Sequence, residues 1–435
     1  MSAKSDRPPL PAGSAEHPLR QSLNDELHAR PYVAIQSPAR VSHLALLATP
    51  GDRDHAAALC RHYDRQPPPE GVNYWYIDLG PCRMNWERHT EFSTYTFYCR
   101  DQFDEPFDER VIDRLPHQWL QGLPGELLVA INVALLPRDR AGPGEADLER
   151  WFPSNIYAGS LMTGGLADVW SDFRIHEDGF SRILVRDLNL NERKAGRLVQ
   201  RLVEIETYRM MALLAFPMAQ QYSGQVARAD NTLAELTAAM TCSDGQAHEH
   251  RLLEQLSRLA AEIERLAAAT SYRFGAARAY YALVQRRIQE LREERVESKP
   301  TLAEFMERRL APAMRTCESV RERLLGLSER TSRAGNLLRT RVDVALGQQN
   351  QQLLASMDRR AQLQLRLQET VEGLSVVVLS YYCVGLVSYA LKALKASGAP
   401  INAELLTGLS IPVVVGVVWW GVNRLHHALS PEGPH

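Results

Sequence analysis

The sequence predicts an α+β (α/β) N-terminal domain, then a long helical hairpin or coiled-coil stalk, and finally two C-terminal transmembrane helices. Three observations predict this order. Short apolar runs of strand length fill the chain up to residue 187, apolar residues at helical spacing follow from residue 189, and two uncharged apolar stretches lie near the C-terminus. The predicted segments are a flexible N-terminus at 1–16, the α/β domain at 17–187, the stalk at 188–372, the transmembrane hairpin at 373–425 and a short tail at 426–435.

The composition excludes several classes of protein. At 435 residues the chain is long enough for two or three domains. Its formal net charge of −2 lacks the excess of Lys and Arg that nucleic-acid binding requires, so no nucleic-acid partner is expected. The six cysteines are scattered without a CxxC pair, which predicts reduced thiols rather than a zinc site or a disulfide framework.

Four runs in the α/β domain predict strands. These runs lie at residues 41–48, 73–79, 84–98 and 127–135. The third run is the longest and alternates aromatic residues and threonine with polar residues. The Asp178-Gly179 dipeptide predicts a tight turn inside a further hairpin. Residues 52–65 and 108–121 each begin with an acidic residue and are predicted as helices.

Two apolar seams predict long helices in the stalk. The seams comprise Leu252, Leu256, Leu259, Ile263 and Leu266, and then Val320, Leu324, Leu327, Thr331, Ala334 and Leu338. Their steps of three and four residues are typical of a coiled coil. Pro217 predicts a kink or a break in the helical segment that contains it. Thr301 and Glu304 have the spacing of a capping box, which predicts that a helix begins there.

The transmembrane hairpin is predicted from two stretches without charge, residues 373–391 and 405–423. A helix of roughly 20 residues, rising about 1.5 Å per residue, crosses a hydrocarbon layer of about 30 Å. Because the link between the stretches is short, both ends of the hairpin are expected on the same side of the bilayer. The flanking arginines and the lack of an apolar signal-peptide core at the N-terminus place the body and both termini in the cytosol.

A polar cluster in the α/β domain is the main candidate for chemistry. Glu87, His89 and Glu91 alternate along the predicted strand 84–98, so all three are expected to point to one face, with Arg88 on the other. Two carboxylates and an imidazole on one face could hold a divalent metal, bind another ligand or act in acid–base chemistry.

The alternative interpretation of this cluster is a buried ion-pair network that holds the sheet to the segment around residues 24–30. The full candidate cluster comprises Glu26, His28, Arg30, Glu87, Arg88, His89 and Glu91. The sequence contains no nucleophile with an obvious partner, no phosphate-binding Gly loop and no HExxH helix. An enzyme is therefore not expected, and no cofactor is identified, although a divalent metal of unknown identity is compatible with the cluster.

A second candidate lies in the first predicted span. Tyr381, Gly385, Ser388 and Lys392 fall within a narrow arc at 100° per residue. Small and polar groups on one face of a membrane helix indicate either helix–helix packing or a water-filled path.

Two segments carry a resemblance to a known family. The segment HPLRQSLNDELHARPY at residues 17–32 and the segment NWERHTEFSTYTFY at residues 85–98, together with the two spans, resemble the bacterial family called domain of unknown function 3422. The resemblance covers nearly the whole chain. It implies a membrane-anchored protein of the bacterial inner (cytoplasmic) membrane, and it brings no known activity.

The layout alone also resembles CorA-type magnesium transport proteins, in which a long stalk helix runs into the first span of a pentamer. That resemblance implies a homo-oligomer. The Gly-Met-Asn motif of those proteins is absent, because Gly385-Leu386-Val387 is the nearest equivalent here. The link carries Lys392 and Lys395, where an acidic mouth would suit a cation.

Two functional hypotheses follow. The first is a homo-oligomeric membrane protein of CorA-like layout that moves an ion or a small solute. The alternative is a non-enzymatic membrane-tethered scaffold or sensor, whose α/β domain binds a ligand or partner while the spans serve as the anchor.

Overall fold

The computed structural model describes residues 17–20, 23–24, 32–47, 50–153, 156–242, 245–296, 299–396 and 402–429. The chain divides into two compact units. The first unit comprises Met1–Cys242 and Glu254–Ala334, and the second comprises Ser243–Leu253 and Gly335–His435. The first unit contains the sheet, and the described part of the second unit is helical.

Nine strands among the described residues form one mixed sheet in the first unit. The strands are β1 Ala39–Leu47, β2 Tyr74–Asp78, β3 Arg83–Arg88, β4 Phe92–Arg100, β5 Leu127–Leu136, β6 Ala158–Met162, β7 Ala167–Ser171, β8 Ser181–Asp187 and β9 Glu294–Arg295. Their spatial order is β2-β3-β4-β1-β5-β8-β7-β6-β9, in which β5 and β8 pair in parallel and the other neighbours are antiparallel. The predicted α+β class is confirmed, and the short β9 adds to the sheet edge from the helical part of the chain.

Three short helices lie between the strands of the sheet in sequence, and long helices make up most of the described chain after residue 191. The helices are α1 Asp52–His62, α2 His117–Gln121, α3 Glu145–Trp151, α4 Glu192–Leu213, α5 Ala215–Thr241, α6 Gln246–Leu291, α7 Leu302–Arg309, α8 Ala311–Ala396 and α9 Ala403–Leu429. A single-turn 3-10 helix, Val111–Arg114, precedes α2. The long helical region that the apolar seams predict is therefore confirmed.

Local sequence signals place several boundaries correctly. Pro217 lies in the first turn of α5, directly after the break that separates α5 from α4. The Thr301 hydroxyl accepts a hydrogen bond from the backbone N–H of Glu304 (3.1 Å), and the Glu304 carboxylate accepts one from the N–H of Thr301 (3.2 Å). This is the predicted capping box at the start of α7. The predicted hairpin is formed by β7 and β8, and Gly179 has a φ of +81° in the loop between them.

The two faces of the sheet bury different kinds of side chain. On one face, Trp86, Tyr95 and Phe97 are fully buried together with Trp119 of α2, forming an aromatic core. The other face carries α4, which contacts β5 and buries Leu198 and Val199. Because successive strand residues point to opposite faces, the polar residues that alternate with the aromatic core lie beneath α4.

The predicted single strand at residues 84–98 is wrong. The segment forms the antiparallel pair β3 and β4, and His89–Glu91 make the turn between them. The N–H of His89 donates to the carbonyl of Phe92 (2.8 Å), which closes the turn. The alternating pattern continues through the turn, and the turn contains no Gly, Pro or Asn that would signal it.

The predicted helix at residues 108–121 is also wrong in its extent. The segment divides into the 3-10 helix Val111–Arg114 and α2, with Leu115 extended between them at φ −90° and ψ 157°. The physical reason is Pro116, because a proline disfavours helical geometry at the residue before it.

The second unit contains the candidate membrane helices. Part of α8 and the segment Ala403–Arg424 of α9 are long and apolar enough to cross a membrane by length and composition. Almost none of the residues in their most apolar stretches are buried. Large apolar side chains such as Leu386, Tyr389 and Leu409 are 69–74% exposed in these helices.

Candidate functional site

A cavity of about 360 Å³ lies in the first unit, on the face of the sheet opposite the aromatic core. The sheet side and the approach to it contribute Tyr32, His43, Asn85, Glu87, His89, Phe92, Thr94, Thr96 and Tyr98. The helices contribute Gln200, Val203, Glu204, Thr207 and Tyr208 from α4, and Arg287 from α6. The volume falls within the range of about 300–1,000 Å³ that is common for small-molecule sites.

The floor of the cavity is a continuous polar patch across three strands. Asn85 of β3 is opposite Thr96 of β4, which is in turn opposite His43 of β1. Glu87 and Thr94 form the next pair on the same face. Antiparallel register therefore brings together side chains that lie up to 53 positions apart in the sequence.

Asn85 and Glu87 form a hydrogen-bonded pair on this floor. The Nδ2 group of Asn85 donates to the Glu87 Oε1 atom at 2.7 Å. Glu87 Oε2 lies 3.6 Å from His89 Nε2, and these two side chains are 13% and 19% exposed. Asn85 is 6% exposed, and its Oδ1 atom has no hydrogen-bond partner among the described residues. A buried carbonyl oxygen without a donor costs free energy, so a bound ligand with an N–H or O–H group would satisfy it.

His43 links the floor of the cavity to α4 through hydrogen bonds of its ring. Its Nδ1 lies 2.8 Å from the Thr96 Oγ1, and its Nε2 lies 3.1 Å from the Thr207 Oγ1. The Thr207 hydroxyl donates to the carbonyl of Val203 (2.8 Å), so its oxygen accepts from His43 Nε2. The ring therefore carries its proton on Nε2, and Nδ1 accepts from Thr96. Burial, with a smaller contribution from His89, lowers the pKa of His43 to about 3, so the ring is neutral at pH 7.

The buried neutral ring of His43 predicts a specific acid sensitivity. The ordinary pKa of 6.5 applies in the unfolded chain and a value of about 3 applies in the folded chain. The unfolded state then binds the proton first as the pH falls, so the stabilisation is present above pH 6.5 and is lost between pH 6.5 and 3. At about 1.4 kcal/mol per pH unit, His43 should remove about 2 kcal/mol of unfolding free energy between pH 7 and 5.

A comparison of variants isolates this effect. The His43→Gln chain should lose about 2 kcal/mol less than the natural chain over the same pH range, measured by denaturant unfolding in detergent. His62→Gln is the control, because His62 is exposed at the end of α1. Equal pH dependence in the His43→Gln variant and the natural chain would contradict the assignment.

The helical wall contains an ion-pair network. Glu204 accepts from Gln200 Nε2 at 3.0 Å and pairs with Arg287, which also donates to Glu290 at 2.8 Å. Burial acts to lower the pKa of Arg287, but the carboxylates of Glu204 and Glu290 outweigh it and raise the pKa overall. The guanidinium therefore stays charged and links α4 to α6.

The predicted polar cluster divides among three places. Glu87 and His89 line the cavity, as a shared face requires. Arg88 lies on the opposite face and pairs with Asp52 at the start of α1. Glu91 leaves the face because it lies in the turn, and both of its carboxylate oxygens accept from Arg273 of α6, at 2.8 and 3.2 Å.

The other predicted cluster members, Glu26, His28 and Arg30, lie outside the described residues. The described part of the chain contains no group of three His, Cys, Asp or Glu side chains that could hold a metal ion. Within that part, Glu87 and His89 thus lack the third protein ligand that a closed divalent-metal site needs.

Several residues of the cavity carry no signal that sequence analysis could use. Asn85 was detectable in principle, because it alternates with Glu87 along β3. His43 is a lone histidine inside an apolar strand, and Gln200, Glu204 and Arg287 are ordinary polar residues on helices. Long-range packing alone brings them to one cavity.

The candidate residues of the first predicted span, Tyr381, Gly385, Ser388 and Lys392, occupy different environments within the second unit. Gly385 and Ser388 are half-buried, whereas Tyr381 and Lys392 are exposed. Ser380 is 5% exposed, and its hydroxyl has no partner among the described residues. The half-buried side of the helix thus runs through Ser380 and Ser388.

Comparison with known proteins gives a match at the level of family. The family described as Protein of unknown function (DUF3422) matches residues 15–429. Among solved structures, the chain is similar to one titled "structure of the full-length CmaX protein", with 13% sequence identity and a TM-score of 0.20, over 68% of this chain and 89% of that chain. That likeness is too weak to assign a fold or a function. No curated protein matches the chain.

Proposed function

The chain belongs to the DUF3422 family, and we propose that it is a membrane-tethered sensor or scaffold whose first unit binds a small ligand. The observation that carries this proposal is the cavity of about 360 Å³ above the polar floor of the sheet. It combines a buried acceptor that has no partner among the described residues with carboxylates and aromatic walls. Small-molecule sites combine a few placed polar groups with apolar and aromatic walls, and both kinds of group line this cavity.

The tether in this proposal is the pair of apolar helices in the second unit. Their length and composition support insertion into a bilayer. The expected location is the bacterial inner membrane, with the first unit and both termini in the cytosol. A reporter that is active only in the periplasm should signal when inserted at Gly398 and stay silent after Ser430, and the reverse would contradict this orientation.

Self-association is part of the proposal, because the described helix before the first span exposes many large apolar side chains. The set comprises Val344, Leu346, Leu353, Leu354, Met357, Leu363, Leu365, Leu367 and Val371, at 42–67% exposure. Apolar surface on this scale favours a partner surface. A second copy of the chain supplies an identical face, so we propose a homo-oligomer. A mass of a single chain in detergent would contradict it.

Passage of an ion or small solute through a CorA-like oligomer is the second candidate function. The observation that favours it is the buried hydroxyl of Ser380 on the same side of the span as Ser388. Such hydroxyls suit either helix association or a water-filled path. A pore built from single spans needs several copies, so the same mass measurement bears on it. Replacement of both spans by an unrelated hairpin would abolish transport and leave binding in the cavity intact.

The ligand-binding proposal predicts that blocking the cavity abolishes capture of a small molecule. The full chain in detergent would be dialysed against a small-molecule extract of bacterial cells, and the retained compounds identified by mass spectrometry. Thr94→Trp blocks the cavity from the sheet, and Val203→Trp blocks it from α4, since both residues line it. We expect at least one compound to be retained by the natural chain and reduced about tenfold or more in both variants.

The control for this experiment is Thr316→Trp, which adds the same side chain on an exposed position of α8 in the first unit. It should retain the compound as the natural chain does. The unfolding midpoint of each variant shows whether it is folded, and the second blocking variant serves if the first is not. If every folded blocking variant retains the same compounds as the natural chain, the cavity is not the binding site.

A further inference from the structure

Two cysteines, Cys82 and Cys99, lie at the same end of the β3–β4 hairpin. The register places Arg83 opposite Tyr98, so one further step along both strands places Cys82 opposite Cys99. Both side chains belong to the aromatic core, on the face of the sheet away from the cavity, and the two residues are 4% and 6% exposed. The Cys99 thiol donates to the carbonyl of Pro81 (3.5 Å), the residue directly before Cys82. Register and contact thus place two free thiols side by side.

The backbone hydrogen bonds show that this is the closer of the two types of cross-strand pair. The N–H of His89 donates to the carbonyl of Phe92, and the two types of pair alternate from there along the hairpin. Cys82 and Cys99 lie an odd number of steps further on and are therefore a pair without hydrogen bonds between them. Accordingly, the carbonyl of Cys82 accepts instead from the N–H of Leu79, on the β2 side (2.9 Å). Pairs of this type have Cα atoms about 4.5 Å apart, within the range of about 4.4–6.8 Å that a disulfide spans.

The two thiols differ in their surroundings. Burial raises the pKa of both, and the pKa of Cys82 reaches about 12. The Nη1 atom of Arg114 lies 2.9 Å from the Cys99 sulfur and opposes the rise in the pKa of Cys99. A positive charge beside a sulfur favours the thiolate, which is the nucleophilic form. Cys99 is therefore the thiol of the pair that is better placed to react first.

We propose that Cys82 and Cys99 are a redox pair that hydrogen peroxide oxidises to a disulfide across β3 and β4. The Cys99 sulfur attacks one oxygen of the peroxide, the O–O bond breaks, and the departing hydroxide takes up the thiol proton and leaves as water. The sulfur of Cys82 then attacks the sulfenic acid at Cys99, so that the S–S bond forms and a second water leaves with the Cys82 proton. The two thiols lose two electrons and the peroxide gains them. A dithiol reductant reverses the change.

The disulfide would enclose the hairpin that carries part of the cavity floor. Asn85 and Glu87 of β3 and Thr94 and Thr96 of β4 all lie between the two cysteines in sequence. A covalent link between the strands restricts the unfolded chain and so stabilises the folded hairpin. Oxidation should therefore stabilise the first unit. The thiol pair itself does not depend on whether the cavity binds a ligand, because it lies on the other face of the sheet.

Peptide mapping without reduction tests the pair. The folded full chain in detergent would be treated with hydrogen peroxide, its remaining thiols alkylated, and the chain digested with trypsin for mass spectrometry. Trypsin separates the two cysteines, because Arg83 and Arg88 lie between them. We expect one linked product that contains Cys82 and Cys99, about 2 Da lighter than the two reduced peptides together and lost on treatment with a dithiol. A bond from either cysteine to Cys60 instead, or no linked product, would overturn the proposal.

Single variants test the order of the two steps. Cys82→Ala should leave Cys99 as a sulfenic acid that dimedone traps, whereas Cys99→Ala should leave Cys82 unmodified. Arg114→Gln should slow formation of the bond about tenfold or more, because loss of the adjacent charge lowers the thiolate fraction of Cys99. Cys60→Ala is the matched control, since Cys60 is buried in the same core, and it should leave the bond and its rate as they are. Trapping at Cys82 instead of Cys99 would overturn the assigned order.

The unfolding midpoint separates a bond that fits the fold from one that forms only in unfolded chains. The oxidised natural chain should unfold about 5 °C higher than the reduced chain, and Cys82→Ala should show no rise on oxidation. An oxidised midpoint at or below the reduced one would mean that the bond strains the sheet, and it would overturn the proposal. The mapping and the midpoint both use the natural chain, so the test stands even where a variant fails to fold.

Discussion

Replacement of Gly196 by alanine should destabilise the first unit by about 3 kcal/mol or more. A Cβ atom at this position of α4 would lie 1.7 Å from the carbonyl oxygen of Val33 and 2.8 Å from its carbonyl carbon. Both are backbone atoms, so no side-chain rotation relieves the overlap. The close approach is held by a hydrogen bond from the N–H of Ile35 to the carbonyl of Glu192 (3.0 Å). The helix and the crossing segment must therefore separate.

Gly224→Ala is the matched control for this prediction. Gly224 is also inside a helix, α5, but a Cβ there would meet nothing nearer than the Arg228 Nη1 at 3.9 Å. Alanine should stabilise that helix by about 0.5–1 kcal/mol, because glycine is the poorer helix former. The free energy of unfolding of the full chain in detergent, followed by tryptophan fluorescence, measures both. Similar values for the two variants would show that Val33 yields to α4 and would contradict the expected rigidity.

The second large effect is expected at Asp52, where Asp52→Ala should reduce the free energy of unfolding by about 2–3 kcal/mol. The Asp52 side chain is 3% exposed. It accepts from Arg88 Nε at 2.9 Å, from the N–H of Arg53 at 2.8 Å and from the hydroxyl of Ser93. Its loss leaves the buried Ser93 hydroxyl without an acceptor. The cost stays below that of a fully buried ion pair, because the Arg88 side chain is 38% exposed and reaches water.

Asp54→Ala tests whether the effect is specific to this contact. Asp54 is in the same first turn of α1 and carries the same charge, but it is exposed. Its removal should cost only a few tenths of a kcal/mol, through the helix dipole. A result in which the two variants are equally stable would refute a folding role for the Arg88–Asp52 pair and return Arg88 to the list of candidate ligand-binding residues.

The sequence predicted those parts of the fold that depend on neighbours in the chain. The capping box of Thr301 and Glu304, the helix break near Pro217 and the turn at Gly179 each involve residues a few positions apart. The apolar stretches at residues 373–391 and 405–423 are equally local signals, since hydrophobicity and length alone identify them. Features of this kind can be predicted from the sequence without knowledge of the tertiary structure.

The errors arose where a local pattern was compatible with two structures. The alternating run at residues 84–98 fits one long strand or two strands joined by a turn, and only pairing between β3 and β4 selects the second. Because of this pairing, Glu91 lies in the turn and forms an ion pair with Arg273, rather than lying on the face of the sheet. Glu87 and His89 still lie close together, because His89 is the first residue of the turn and directly follows the end of β3.

The amino-acid sequence by itself determined the α+β class, the long helices after the sheet, the apolar character of the final two helices and the separation of Glu87 from Arg88 on opposite faces. Tertiary structure decided where the cavity lies and which residues complete it. His43, Asn85 and Thr96 meet through strand register, and Glu204 and Arg287 meet through helix packing across 83 positions of sequence. Periodicity reports the face on which a residue lies, whereas the partner on that face depends on contacts between distant segments, which no local pattern encodes.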